Sequence, residues 1–180
     1  MRHNLAILAA LLLGAQSIGP IEVHSDDQRV LRGVAELYAQ FTNLMLDPEL
    51  PRDQVSIMVV PILLAHHGQV GTNKGEEIWG EATYEQLGAS HHLIRLNAKI
   101  LDEKQGEVIF LAILAHELTH IGLFSRGIVP AIDDECGKFK HELTAYEMQS
   151  QVERWKLGQT TPETHVIIMQ MTERAMEACK

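Results

Sequence analysis

The sequence predicts an α+β fold, with short strands in the first part of the chain and long helices in the second. Three observations lead to this prediction. Segments of strand length, the first of them apolar and rich in β-branched residues, occur between positions 55 and 98. Apolar residues at helical spacing, bounded by capping residues, occur before and after these runs. One later helix is apolar on most of its sides, which is typical of a core helix.

Length and charge limit the possible partners. A chain of 180 residues suggests one domain that is large enough to bury a core. Its 46% hydrophobic and 22% charged residues are ordinary for a globular protein. The formal net charge of -9 argues against nucleic acid or an anionic membrane surface as a partner, because both bind basic patches.

The first residues are typical of an export signal. Arg2 precedes an unbroken apolar stretch, Leu5 to Leu13, and small residues follow up to Ser17. This stretch is far shorter than the roughly 20 residues of a membrane-spanning helix, so we expect no stable membrane insertion after signal removal. A buried N-terminal helix is the alternative. We predict a signal at 1–17, cleaved near Ser17, and one mature domain at 18–180 in a periplasmic or secreted protein.

The first helix of the mature domain is predicted at Ser25 to Asp47. Ser25 and Gln28 form a capping-box pattern, and Pro48 stops the run. Three strands are predicted after this helix, at Val55–Leu64, Ile78–Tyr84 and His91–Ala98. Pro61 limits how far the first of them can pair, and a polar, glycine-rich loop is expected at 66–75.

Three helices are predicted after the strands. A capping-like pattern at Asp102 and Gln105 opens the first, and Ser125-Arg126-Gly127 ends it. Asp133 or Asp134 caps the second, which Gly158 stops. Thr161-Pro162 opens the third. Their spans are Val108–Leu123, from Asp133 or Asp134 to about Leu157, and Thr161 to about Ala178.

The most informative run is His116-Glu117-Leu118-Thr119-His120 in the apolar helix. Its two histidines are four residues apart and therefore share a helical face, where both can reach one metal ion. Glu117 projects beside that face, within reach of a metal-bound water. The alternative is a hydrogen-bonded core cluster, but burying these groups without partners would be costly.

A third ligand must come from elsewhere in the chain. A three-histidine extension would need glycine at position 123 and histidine at 126, where the chain has Leu123 and Arg126. A carboxylate on the following helix is the remaining source. Glu142 is favoured over Glu135 and Glu147, because Glu147 lies off the Glu142 face and Glu135 lies at an uncertain helix start.

The motif and the downstream run Glu142-x-x-Ala145-Tyr146-x-x-Gln149 resemble the gluzincin zinc metallopeptidases, in particular their small members. The resemblance covers about Phe110 to Trp155. It implies a zincin-like domain in which a small mixed sheet packs on the motif helix, followed by a Glu-bearing helix and a C-terminal helix. By position it implies one Zn²⁺ per chain on His116, His120 and Glu142, with Glu117 as general base.

The chain departs from the thermolysin-like version of this pattern. There, an asparagine precedes the ligand glutamate, whereas this chain has His141; we expect His141 at the surface, because it is offset from Glu142 by about 100°. Tyr146 shares the Glu142 face, so it is either a catalytic donor to a developing oxyanion or support for a ligand, or else a packing residue. His91 and His92 either contact substrate or lie on an exposed edge strand, and the edge is favoured.

Cys136 and Cys179 are the chain's two cysteines. They form one disulfide in an oxidising compartment or remain free thiols, and spacing alone does not distinguish these states. The export signal favours the disulfide.

These observations predict a zinc-dependent hydrolase that cleaves peptide bonds in a peptide or protein substrate. Glu117 would act as general base, and Tyr146 is a further catalytic candidate. The alternative is a non-catalytic, exported zinc-binding protein for storage, assembly or recognition. A structural domain that carries the motif by accident is a third hypothesis.

Overall fold

A computed structural model describes residues 16–18, 21–41, 54–65, 75–86, 90–131 and 133–180. Residues 1–15 of the predicted signal and most of the predicted 66–75 loop lie outside these ranges. The export signal therefore stays a prediction, although its last two positions, Gln16 and Ser17, belong to a strand.

The described residues form an α+β structure, as predicted. They contain five strands, four α-helices and one 3-10 helix at Ala98–Asp102. The strands are β1 (Gln16–Ile18), β2 (Ile21–His24), β3 (Gln54–Val60), β4 (Gly80–Gln86) and β5 (Ser90–Asn97). The α-helices are α1 (Gln28–Phe41), α2 (Gly106–Ser125), α3 (Glu135–Leu157) and α4 (Pro162–Ala178).

The strands form a mixed sheet in the order β1-β2-β3-β5-β4. The three inner strands are parallel, and each outer strand is antiparallel to its neighbour. Side chains of the parallel strands align in rows, because the register places Val23 opposite Ile57 and Ile57 opposite Ile94. These three residues are completely buried, so one face of the sheet contributes to a core.

The predicted strands agree with the structure in part: β3 ends at Val60 and not at Leu64, β4 is shifted, and β5 is not an edge strand. β3 ends at Val60, directly before Pro61, since proline cannot donate a hydrogen bond to the neighbouring strand. The strand predicted at Ile78 instead runs two residues later, as β4. β5 agrees with the prediction to within one residue, but it lies between β3 and β4 and is not an edge strand.

Two predicted helix starts are also wrong. α1 begins at Gln28 because Asp27, and not Ser25, acts as its cap: Asp27 Oδ1 accepts a hydrogen bond from the Arg29 backbone N–H at 2.8 Å. α2 begins at Gly106 and not at Asp102, which ends the 3-10 helix. A Cβ at Gly106 would collide with the Ile100 carbonyl, so only glycine fits this junction.

The chain divides into two compact units, Met1–Glu107 and Val108–Lys180. The first contains the sheet and α1; the second contains α3, α4 and all of α2 except its first two residues. The assignment of the mature chain to one domain remains a prediction.

Helix α2 is buried on every side over most of its length. Residues 110–122 are all buried. The helix ends where Gly127 adopts φ +74° and the Ile128 N–H donates to the Leu123 carbonyl at 3.0 Å. Within the described residues, Gly106–Phe124 is the one segment long and apolar enough to cross a membrane, and 67% of that apolar stretch is buried inside the protein, as in a core helix.

Helices α3 and α4 pack against each other, and their predicted caps are confirmed. Asp134 accepts from the Gly137 N–H at 2.8 Å, Gly158 ends α3 with φ +75°, and Thr161 caps α4. The favoured disulfide is also confirmed, because Cys136 at the start of α3 is bonded to Cys179 at the end of α4.

A buried polar cluster fixes the other end of this helix pair. The Glu153 carboxylate accepts from the Thr161 N–H at 2.8 Å and from the Thr164 hydroxyl at 2.6 Å. Gln149 also donates to the Thr164 hydroxyl, at 2.9 Å. Helix α3 is therefore held to α4 at both ends, on either side of Glu142.

Candidate metal centre

Helix α2 places His116 and His120 one turn apart on one face. Their Nε2 atoms are 3.0 Å apart, and the two residues are only 8% and 9% exposed. The intervening Thr119 satisfies its hydroxyl within the helix by donating to the Ala115 carbonyl at 2.8 Å. Thr119 thus has a local partner, and the two histidines face each other.

Helix α3 brings Glu142 to the same point. Its Oε2 lies 3.5 Å from His116 Nε2, and its Oε1 lies 3.7 Å from His120 Nε2. Three ligand atoms, one from each residue, lie within 4.8 Å of one another. This group can hold a metal ion. Glu142 is 28% exposed in its side chain, so the group is open on one side.

The rival carboxylates lie elsewhere. Glu135 forms an exposed ion pair with Lys138 at 3.0 Å, and Glu147 is exposed. Within the described part of the chain, the grouping that could hold a metal ion consists of the two histidines and Glu142. The structure therefore brings together the three residues that the sequence predicts as ligands.

The protonation of these groups suits a metal. Burial lowers the pKa of His120 to about 3, and the neighbouring His116 acts in the same direction, so the His120 ring is neutral at pH 7. Burial alone would raise the pKa of Glu142, but its hydrogen bond to His116 and the three nearby histidines lower it below its usual range. Metal binding requires both of these deprotonated forms.

Glu117 and Tyr146 flank the ligands. Glu117 follows His116 directly and is buried. The Tyr146 ring lies edge-on to the His116 ring, with centroids 4.5 Å apart. Burial, followed by the charges of Glu142 and Glu117, raises the pKa of Tyr146 to about 12. Tyr146 therefore packs against a ligand and also keeps a protonated hydroxyl that can donate a hydrogen bond.

The prediction that His141 lies at the surface is wrong. It is buried, its Nδ1 lies 2.8 Å from His120 Nδ1, and the two rings are nearly parallel, at 12°, with centroids 4.8 Å apart. The Phe124 ring lies 5.1 Å away on the other helix. The available signal was helical periodicity: His141 continues the buried stripe formed by Ala145, Met148 and Val152.

Burial lowers the pKa of His141, while the Glu142 charge and the Ile128 backbone partly offset this effect. Nε2 of His141 is buried without a hydrogen-bond partner among the described residues. Nδ1 of His116 is likewise buried without a hydrogen-bond partner among the described residues. The two histidine ligands therefore differ at Nδ1, the nitrogen that faces away from the metal group. His120 has a hydrogen-bond partner there, in His141, and His116 has none among the described residues.

The expectation of an exposed edge histidine is wrong for His92. Its side chain is 1% exposed, and β5 is paired along both of its sides. An extended peptide therefore has no free edge to pair with on this strand. The His91 side chain, together with His66 and His67, lies outside the described residues.

Comparison of the chain with family models, with curated proteins and with solved structures found no match.

Proposed function

We propose that this chain is an exported, zinc-dependent hydrolase with a zincin-like fold, and that its substrates are peptide bonds in peptides or proteins. The observation that carries the proposal is the convergence of two buried imidazoles and one carboxylate next to a buried glutamate, Glu117. Catalytic zinc sites use three such protein ligands and keep a further position open.

The donor set and its spacing support zinc, with one ion per chain. Zinc bonds to nitrogen and oxygen are about 2.0–2.1 Å long, so tetrahedral ligand atoms lie about 3.4 Å apart. The three separations between ligand atoms of different residues are 3.0, 3.5 and 3.7 Å and bracket this value. The exposed side of Glu142 would leave space for water and a substrate.

The residues around the metal group suit hydrolysis. Bound zinc would supply Lewis acidity, which lowers the pKa of a water molecule and polarises a carbonyl. Glu117 would take the proton from the attacking water and pass it to the leaving amine. Tyr146, which keeps its proton, would donate a hydrogen bond to the negative charge that develops on the carbonyl oxygen. Glu142, His116 and His120 would remain ligands throughout.

Two features support export and the zincin-like arrangement. The Cys136–Cys179 disulfide is of the kind that persists in oxidising compartments, which agrees with the predicted signal at 1–17. The mixed sheet and the succession of motif helix, Glu-bearing helix and C-terminal helix agree with the order expected of small zincins.

The test is a Glu117→Gln variant, because glutamine keeps the shape of the side chain and removes the base. We expect it to retain zinc and to lose hydrolysis by about 10²- to 10⁴-fold, the usual contribution of a general base. Purified protein is incubated with a diverse peptide library, with and without a chelator, and products are identified by mass spectrometry.

Glu135→Gln is the matched control, since Glu135 is exposed and lies outside the metal group. It should keep both zinc and activity. Unchanged hydrolysis in Glu117→Gln would refute the role of Glu117. A wild-type chain that binds zinc and cleaves nothing in the library would instead support a non-catalytic role in storage, assembly or recognition.

A further inference from the structure

Both ring nitrogens of His120 are engaged. Its Nε2 faces His116 and Glu142, and its Nδ1 faces Nδ1 of His141 at 2.8 Å. A neutral imidazole carries one proton, and a metal takes the lone pair of the other nitrogen. If Nε2 binds the metal, the proton of His120 must be on Nδ1.

That requirement determines the state of His141. A donating Nδ1–H on His120 needs an acceptor 2.8 Å away, so Nδ1 of His141 must carry a lone pair. The proton of His141 is then on Nε2, the nitrogen that faces away from His120. The position of the ring is restricted by its nearly parallel arrangement with the His120 ring and by contact with Phe124.

We propose that His141 is a positioning residue that accepts the hydrogen bond from His120 Nδ1 and so holds His120 in the tautomer that binds a metal through Nε2. The inference rests on the proposed zinc site and deepens it. Metal-bound histidines commonly donate their second N–H to a carboxylate, a carbonyl or water, and loss of that partner weakens metal binding. Here the partner is a second imidazole, on the same helix as Glu142 and adjacent to it.

The other histidine ligand provides an internal comparison. Nδ1 of His116 has no hydrogen-bond partner among the described residues, and its ring is instead flanked by Tyr146. The tautomer of His120 should therefore depend on one side chain, whereas that of His116 should not depend on His141. This asymmetry gives the proposal a spectroscopic signature.

Two substitutions at one position separate hydrogen bonding from packing. His141→Leu keeps a buried apolar side chain and removes the acceptor. His141→Asn keeps an acceptor oxygen close to the position of Nδ1. His165→Leu is the control, because His165 is an exposed residue of α4 outside the site. All variants are made in the full chain, and the thermal melting of each is recorded without metal.

Zinc affinity is measured by competition with a chelator, and the histidine tautomers are read from ¹⁵N–¹H correlation spectra of the zinc-loaded proteins. We expect His141→Leu to bind zinc about 10- to 100-fold more weakly, with loss of the Nδ1–H signal of His120. His141→Asn should recover most of the affinity and the signal. His165→Leu should match the wild type.

Equal zinc affinity and an unchanged His120 tautomer in His141→Leu would overturn the inference and leave the proposed function standing. So would an Asn variant that loses as much affinity as the Leu variant, because that result indicates a purely structural role. A wild-type chain that binds no zinc would overturn the proposed function and, with it, this inference.

Discussion

Helices α2 and α3 supply opposite halves of the candidate site under different constraints. In α2, residues 110–122 are all buried, so each polar side chain there must have a partner or a function. In the half of α3 that carries the site, burial is confined to His141, Ala145 and Met148, and Glu142 and Tyr146 are half-buried. The metal group thus combines a rigidly enclosed histidine pair with a carboxylate that faces solvent on one side. Helix α2 thus supplies the enclosed ligands of the metal group, and α3 supplies the ligand that solvent can reach.

The largest expected effect concerns the anchoring of α3. A Cys136→Ser/Cys179→Ser double variant releases a cross-link between residues 43 positions apart. Loop-closure entropy predicts a loss of about 4 kcal/mol in the free energy of unfolding. Urea titration of the oxidised wild type and the double variant measures this loss, with Glu135→Gln as a control that should unfold like the wild type. An unchanged free energy of unfolding would show that α3 is held without the disulfide.

The next effect concerns the contribution of α3 to the chemistry. Tyr146→Phe keeps the ring that packs on His116 and removes the hydroxyl. Loss of an oxyanion donor lowers kcat by about 10²-fold, while zinc content should be unchanged because the packing is retained. Steady-state kinetics and metal analysis of the same preparation provide the check. Full activity in Tyr146→Phe would restrict this residue to packing.

The smallest effect concerns the dependence of the protein's stability on pH, which His120 on α2 should dominate. The folded-state pKa of His120 is about 3, against an ordinary value of 6.5, so between these values the unfolded chain binds more protons than the folded one. The metal-free protein should therefore lose stability as the pH falls below 6.5, by up to about 1.4 kcal/mol per pH unit from this group. The lowered pKa values of His141 and Glu142 act in the same direction, Glu142 only near and below its ordinary value of 4.5.

Urea unfolding of the chelated protein between pH 7.5 and 5 measures this slope. Over that range the lowered pKa values of His120 and His141 contribute to the slope, and Glu142 contributes little. His120→Gln should flatten it, and His165→Leu should leave it unchanged. A slope that is the same in His120→Gln and the wild type would remove His120 as its source.

Features that depend on neighbours in sequence were predictable from the sequence. Gly158 and Thr161 end or cap helices through contacts with residues within a few positions and were identified correctly, and Asp134 was one of two predicted caps. The spacing of His116 and His120 also determines that they share a face of one helix. Proline after β3 ended that strand as expected.

Features that depend on distant parts of the chain were not predictable in this way. β5 was interpreted as an edge strand, because the sequence contains no signal that β4 pairs along its other side. His141 was assigned to the surface from its offset to Glu142, yet its environment is set by His120 and Phe124 on another helix. Extension of the apolar stripe at Ala145, Met148 and Val152 by one turn would have indicated burial, but not the partner.

The central claim is that α2 and α3 together form a zinc site, and the zinc content of the purified chain tests it most directly. Elemental analysis should give one zinc per chain for the wild type and for the exposed control His165→Ala. His120→Ala should contain almost none, because it removes one of the two enclosed ligands. A wild-type chain without zinc, or a His120→Ala variant with as much zinc as the wild type, would contradict the claim.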